Sequence, residues 1–143
     1  MPETTQIHPD KVRAYLATDY VIDAATGPIV LTIGKRSEHL IALFSSNSVE
    51  CGAFLTGYNP HGNLQSDAAN ALAHAELAQK LSGQGFTAIE GSGSEAGTDW
   101  PAERSWFALG MPLTSAKEIG THFHQDAIVW VGSDAVPRLI LLR

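Results

Sequence analysis

Cys51-Gly52-Ala53-Phe54-Leu55-Thr56-Gly57-Tyr58-Asn59-Pro60-His61-Gly62 reads as a strand running into a tight turn, and Ser66-Asp67 shortly after it opens a helix. The apolar run at Ala53, Phe54 and Leu55 has the near-continuous character of a strand covered on both faces, and the spacing predicts this strand over Cys51 to Tyr58. Ser66 supplies a hydroxyl N-cap and Asp67 a first-turn carboxylate, so the helix is expected to run to Leu81 and stop at Ser82-Gly83. A strand, a turn and a helix start in that order is where α/β proteins most often place a ligand. At the pitch of an α-helix, Asn70, Ala73, His74, Leu77 and Leu81 share one side. Asn70 is therefore expected to point inward, either bracing buried backbone of the turn or lining a pocket; bracing is favoured, because most buried amides are simply satisfied.

Upstream, Pro9 to Ala17 has proline in its first turn and Val12, Tyr15 and Leu16 at helical spacing, which predicts a short helix. Tyr20 to Asp23 and Ile29 to Ile33 are β-branched runs joined by Ala24-Ala25-Thr26-Gly27-Pro28, a hairpin pattern. Glu38 to Phe44 is compatible with helix or strand, since periodicity does not arbitrate over so few residues. Downstream, Phe86 to Glu90 predicts a strand and Gly91 to Gly97 a flexible loop beside the site. That loop fails as a phosphate loop, for it has no lysine and no helix follows directly. Glu103 to Leu109 alternates, aligning Glu103 and Ser105 with Phe107 and Leu109, although a lone carboxylate at a strand end is ordinarily exposed. Ser115-Ala116-Lys117-Glu118 matches a capping box and predicts a helix start there, with Ile119 and Phe123 inward. Asp126 to Val131 and Arg138 to Leu142 close the chain as an apolar hairpin.

The 143 residues, 44% of them hydrophobic, suit one globular domain spanning 1–143. Nine Lys plus Arg against 15 Asp plus Glu give a net charge of -6, which disfavours nucleic acid and acidic membranes as partners. The single Cys51 reads as an inert thiol in a reducing cytoplasm. Met1 to Asp10 lacks the pattern of a secretory leader, and no run approaches membrane-spanning length, so a cytoplasmic location is expected. His122 and His124 point in different directions if they share a helix, and no Cys, Asp or Glu set accompanies them; neither a metal nor any other cofactor is expected.

Tyr15-x-x-Thr18-x-Tyr20, Phe54-Leu55-Thr56-Gly57-Tyr58-Asn59-Pro60 with Asn70 downstream, Trp100-x-x-Glu103-x-Ser105-Trp106 and Phe123-x-Gln125-x-Ala127 run through nearly the whole chain. Together they resemble the bacterial domain-of-unknown-function family numbered 3293. The polar positions matching that pattern are Thr56, Asn59, Asn70, Glu103, Ser105 and Gln125. Where the pattern usually carries alanine, a second acidic residue and glycine, this chain has Gly57, Ala102 and His124. Losing a carboxylate at Ala102 weakens any scheme that needs paired acids, while His124 offers a substitute titrating group. The resemblance implies no established activity.

The expected architecture is mixed α+β: a single-layer mixed sheet of about six or seven strands, two main helices and a short N-terminal one. Amides and one carboxylate read hydrogen-bonding ligands well and are poor nucleophiles. The leading expectation is therefore a protein that binds a small polar or nucleotide-like ligand through Thr56, Asn59, Asn70, Glu103, Ser105 and Gln125. Two other classes stay open: an enzyme using Glu103 with His61 or His124 in acid–base work, and an interaction module whose polar set braces the core.

Overall fold

The computed structural model describes residues 5–95 and 97–143. Helix α1 (Pro9–Ala17) starts on Pro9, with His8 Nδ1 accepting the Asp10 N–H at 3.0 Å. Strands β1 (Asp19–Ala24) and β2 (Gly27–Leu31) form a hairpin with a tighter turn than its composition suggested; Gly27, at φ 124°, supplies the bend. The ambiguous segment is helix α2 (Glu38–Ser46), started by Ser37 Oγ accepting the Leu40 N–H and held by buried Leu40 and Phe44. Strand β3 (Gly52–Leu55) buries all four residues. It is shorter than Cys51 to Tyr58 because Thr56 Oγ1 accepts the Tyr58 N–H at 3.0 Å and donates to Arg104 O at 2.7 Å, folding the chain out of the ladder.

A single 3-10 turn (Pro60–Gly62) leads to helix α3 (Asp67–Gly83), where Ser66 Oγ accepts the Ala69 N–H. Strands β4 (Ala88–Ser94) and β5 (Glu103–Leu109), helix α4 (Leu113–His122) and strands β6 (Ala127–Val131) and β7 (Pro137–Leu141) follow. The seven strands form one sheet in the order β2-β1-β4-β5-β3-β6-β7, giving a mixed α+β fold. The expected mixed sheet is antiparallel at each of its pairings.

Alternation along the strands divides the core. On one face Ile22, Leu31, Phe54, Phe107, Leu109 and Val131 pack with Leu40 and Phe44 of α2. On the other, Ala53, Leu55 and Ala108 pack with Leu77 and Leu81 of α3 and with Ala116, Ile119 and Phe123 from α4 and its end.

Two further expectations are corrected. Gly91 to Ser94 is not a loop but the second half of β4, paired with Asp19 to Ile22 on one side. The glycines are what permit it: a Cβ at Gly91 would lie 2.3 Å from Val21 O, so the close approach of β1 tolerates only hydrogen there. Ala96, within the same expected loop, lies outside the described residues, as do residues 1–4. The capping box at Ser115 is not the start of α4. That helix begins at Leu113 behind Pro112, whose ψ of 156° and fixed φ set the entry with no side-chain cap.

Candidate functional site

The turn after β3 is held by a reciprocal pair of amides. Asn59 adopts a left-handed conformation (φ 47°, ψ 65°), which asparagine tolerates better than most residues. Its N–H donates to Asn70 Oδ1 at 3.0 Å, and Asn70 Nδ2 donates back to Asn59 Oδ1 at 3.2 Å. Gln65 adds its backbone N–H to Asn59 Oδ1 and its Nε2 to Asn70 Oδ1, at 3.1 and 2.7 Å. Both asparagines are buried, and their amides close a network between α3 and the turn. Asn59 Nδ2 points the other way and donates to Glu103 Oε2 at 2.8 Å, fixing a carboxylate at the start of β5. Trp100 Nε1 donates to the same oxygen at 3.1 Å. Glu103 Oε1 has no partner among the described residues.

Glu103 faces a cavity of about 280 Å³ between α1 and the sheet. Lys11, Ala14 and Tyr15 of α1 and Thr18 at its C-cap lie over it; Tyr20, Phe54, Val129 and Leu139 form an apolar floor; Trp100 stands at its edge. Gly93 lines it too, and a Cβ there would sit 3.6 Å from Thr18 and Tyr20, so its small size leaves the space open. Of the six residues expected at a site, Thr56, Asn59, Glu103, Ser105 and Gln125 line this one cavity. Asn70 does not; it stands behind Asn59 and braces it. Gln125 Nε2 donates to Tyr58 O and Phe123 O, so its amide also ties the turn to the end of α4. Ser105 Oγ donates to Glu103 O at 3.1 Å.

Burial pushes the Glu103 carboxyl above its ordinary range, against the opposing bonds from Asn59 and Trp100. Burial also raises the Tyr15 hydroxyl to about 12, helped by the charges of Asp126 and Glu103. Beside the cavity lies a second carboxylate, Asp126, which is 3% exposed. Burial alone would raise it, but hydrogen bonds from Lys11, Arg143 and His61 bring it below its usual value. Lys11 Nζ reaches Asp126 Oδ2 at 2.8 Å and His61 O at 2.9 Å, and Arg143 reaches Asp126 Oδ1 at 2.6 Å. This ion cluster pins α1 to the turn and to the start of β6. Lys11, Tyr15 and Asp126 were not singled out from sequence as site residues; the Tyr15-x-x-Thr18-x-Tyr20 pattern was the available signal for the α1 side.

The acid–base pairing of Glu103 with His61 or His124 is not built. Neither histidine lines the cavity; their rings lie 5.6 Å apart beyond the turn, and both residues have positive φ. Helix α4 ends at His122 and His124 lies two residues beyond it, so the two histidines do not share a helix. Among the described residues no three His, Cys, Asp or Glu side chains are placed to hold a metal ion, and no helix is long and apolar enough to cross a membrane. Cys51 is half-buried with Sγ 3.3 Å from Met111 O, and burial raises its thiol, as suits an unreactive cysteine.

A family model described as "Protein of unknown function (DUF3293)" matches residues 55–128, the span from the end of β3 into β6. No curated protein and no solved structure matches the chain.

Proposed function

The chain belongs to the DUF3293 family of proteins of unknown function, and from that premise we propose that it binds a small organic molecule carrying N–H donors in the cavity beneath α1. The observation that carries this reading is Glu103. Its Oε2 is fixed by Asn59 and Trp100, while Oε1 is left without a partner among the described residues in the wall of a cavity with an apolar floor. A half-buried carboxylate with one oxygen unused by the protein is available to a complex, in which the ligand supplies the absent donor. Tyr20, Phe54 and Trp100 offer aromatic surface to a flat or hydrophobic body.

Of a nucleotide-like ligand, the cavity suits the base better than the phosphate. Lys11 borders it, but its ammonium is already engaged by Asp126 and His61 O. The test is a thermal-shift screen of nucleobases, nucleosides and polar metabolites, since a ligand bound only by the native state must raise its melting midpoint. At least one compound with N–H donors is expected to do so, and Gly93→Leu, which fills the cavity, is expected to abolish that shift. An unchanged midpoint across the screen, or a shift that survives Gly93→Leu, would end the reading.

A further inference from the structure

The charge of the ligand is open in the reading above, and the surroundings of Glu103 decide it. Asp126 is satisfied by Lys11 and Arg143, Glu90 by Arg104, and Asp134 by Arg138. Glu103 forms no ion pair with any described residue. Its two donors, the Asn59 amide and the Trp100 indole, are neutral. Lys11 is the cation bordering the same cavity, but it is committed to Asp126 Oδ2 at 2.8 Å and His61 O at 2.9 Å. A partly buried carboxylate without a counter-charge is poorly compensated, and a cation with hydrogen-bond donors compensates it. Around it stand Tyr15, Tyr20, Phe54 and Trp100, aromatic faces and edges of the type that accept a cation and its apolar body together.

We propose that the ligand is an organic cation, a protonated amine or amidinium on an apolar body, whose N–H groups bond Glu103 Oε1 in the cavity beneath α1. This rests on the reading of that cavity as a binding site and adds the sign of the charge. A neutral donor satisfies the oxygen but leaves the carboxylate's charge uncompensated; a cation does both. The cavity, at about 280 Å³, sets a small body, and its floor of Phe54, Val129 and Leu139 sets an apolar one.

The experiment is calorimetric titration of the full chain at neutral pH with two matched pairs of probes: benzylamine against benzyl alcohol, and benzamidine against benzamide. The members of each pair are close in shape and differ in charge. The cation of each pair is expected to bind about tenfold or more tightly than its neutral partner, the margin by which a charge-assisted hydrogen bond exceeds a neutral one. In Glu103→Gln the two are expected to bind within about twofold of each other, because the amide offers an acceptor without the charge. Equal binding of charged and neutral probes to the native chain overturns the inference and leaves the cavity reading standing. A cation preference that persists in Glu103→Gln also overturns it, by placing the charge recognition elsewhere. No heat from any probe at millimolar concentration overturns both. The comparison within the native chain does not depend on how the variant folds.

Discussion

Under α3, Leu77 and Leu81 are fully buried against Ala53, Leu55 and Ala108; across the same strands, α1 has no buried residue and covers an open cavity. The α3 face is closed by apolar area. On the other face Leu40 and Phe44 of α2 close one part with apolar area, and α1 closes the rest with a few polar tethers: Lys11 to Asp126, and Tyr20 Oη donating to Tyr15 O at 2.7 Å. Leu16, expected from its spacing to help pack α1, is 46% exposed. Both faces of the sheet thus carry apolar core, and the α1 cover alone can part locally without that core unfolding, the condition a binding cavity needs to admit a ligand.

The contrast is sharpest in what truncation costs. Leu77→Ala on the α3 face is expected to lower unfolding free energy by about 3 to 4 kcal/mol through lost burial and a residual cavity. Urea denaturation reads this as a lower midpoint with an unchanged slope; a loss below roughly 1 kcal/mol would mean the face is not closed by packing at all. Asn70→Ala follows, at about 2 kcal/mol, since it orphans the buried Asn59 N–H and removes one of the two donors to Asn59 Oδ1, leaving that of Gln65. It should also weaken ligand binding, because Asn59 would no longer be fixed toward Glu103. A drop in stability with binding intact would separate the brace from the cavity.

Lys11→Met is expected to cost about 1 kcal/mol or less globally, for the lysine side chain is 41% exposed and Asp126 keeps Arg143. Its larger effect belongs to α1 alone, whose amides should exchange with solvent faster while those of α3 do not. Hydrogen exchange followed by NMR measures both helices in one sample, and equal acceleration in the two would erase the distinction between the faces.

Glu103→Gln is expected to cost nothing at neutral pH and to stabilise the protein slightly. The folded carboxyl lies above its ordinary value of 4.5, so the native state holds that proton more tightly than the unfolded chain. Its contribution to stability is fully present below 4.5 and is lost as pH rises through the folded value. Glutamine mimics the neutral acid at every pH, so the variant should match the native chain below 4.5 and gain on it above. Asp126 behaves oppositely: its lowered carboxyl contributes above its usual range and loses that contribution as pH falls. A pH series of denaturation midpoints in which Glu103→Gln falls behind the native chain at neutral pH would show that the carboxylate is a brace.

What could be read from the sequence divides along the same line. Strand β5 appears with its expected bounds, because Ser105, Phe107 and Leu109 alternate strictly with Arg104, Trp106 and Ala108. Helix α3 and the inward Asn70 follow from a cap and a repeat that are both local. Gly91 and Gly93 read as a loop because glycine carries no strand signal; the reason for glycine at 91 is the carbonyl of Val21, which only the folded sheet brings there. The wall of the cavity could be named since Thr56, Asn59, Glu103 and Ser105 lie on the turn and strand that the pattern marks. Its roof could not, as Lys11 and Asp126 are 115 residues apart and neither sits in a motif that announces the other.

The three tryptophans divide between the two faces, and this gives the protein two separate optical channels. Trp100 stands at the cavity edge, 43% exposed, with its indole N–H on Glu103. Its emission should shift when a ligand displaces water there or changes the charge beside it. Trp106 lies across the sheet, stacked on the buried ring of His74 with centroids 4.7 Å apart and its N–H on His74 O, while the Trp130 N–H is held by Met111 O. Those two indoles should stay silent as the cavity fills and change only when the α3 face comes apart. Replacing Trp100 with phenylalanine leaves a chain whose fluorescence reports unfolding alone; retaining it as the sole indole leaves a chain that reports occupancy.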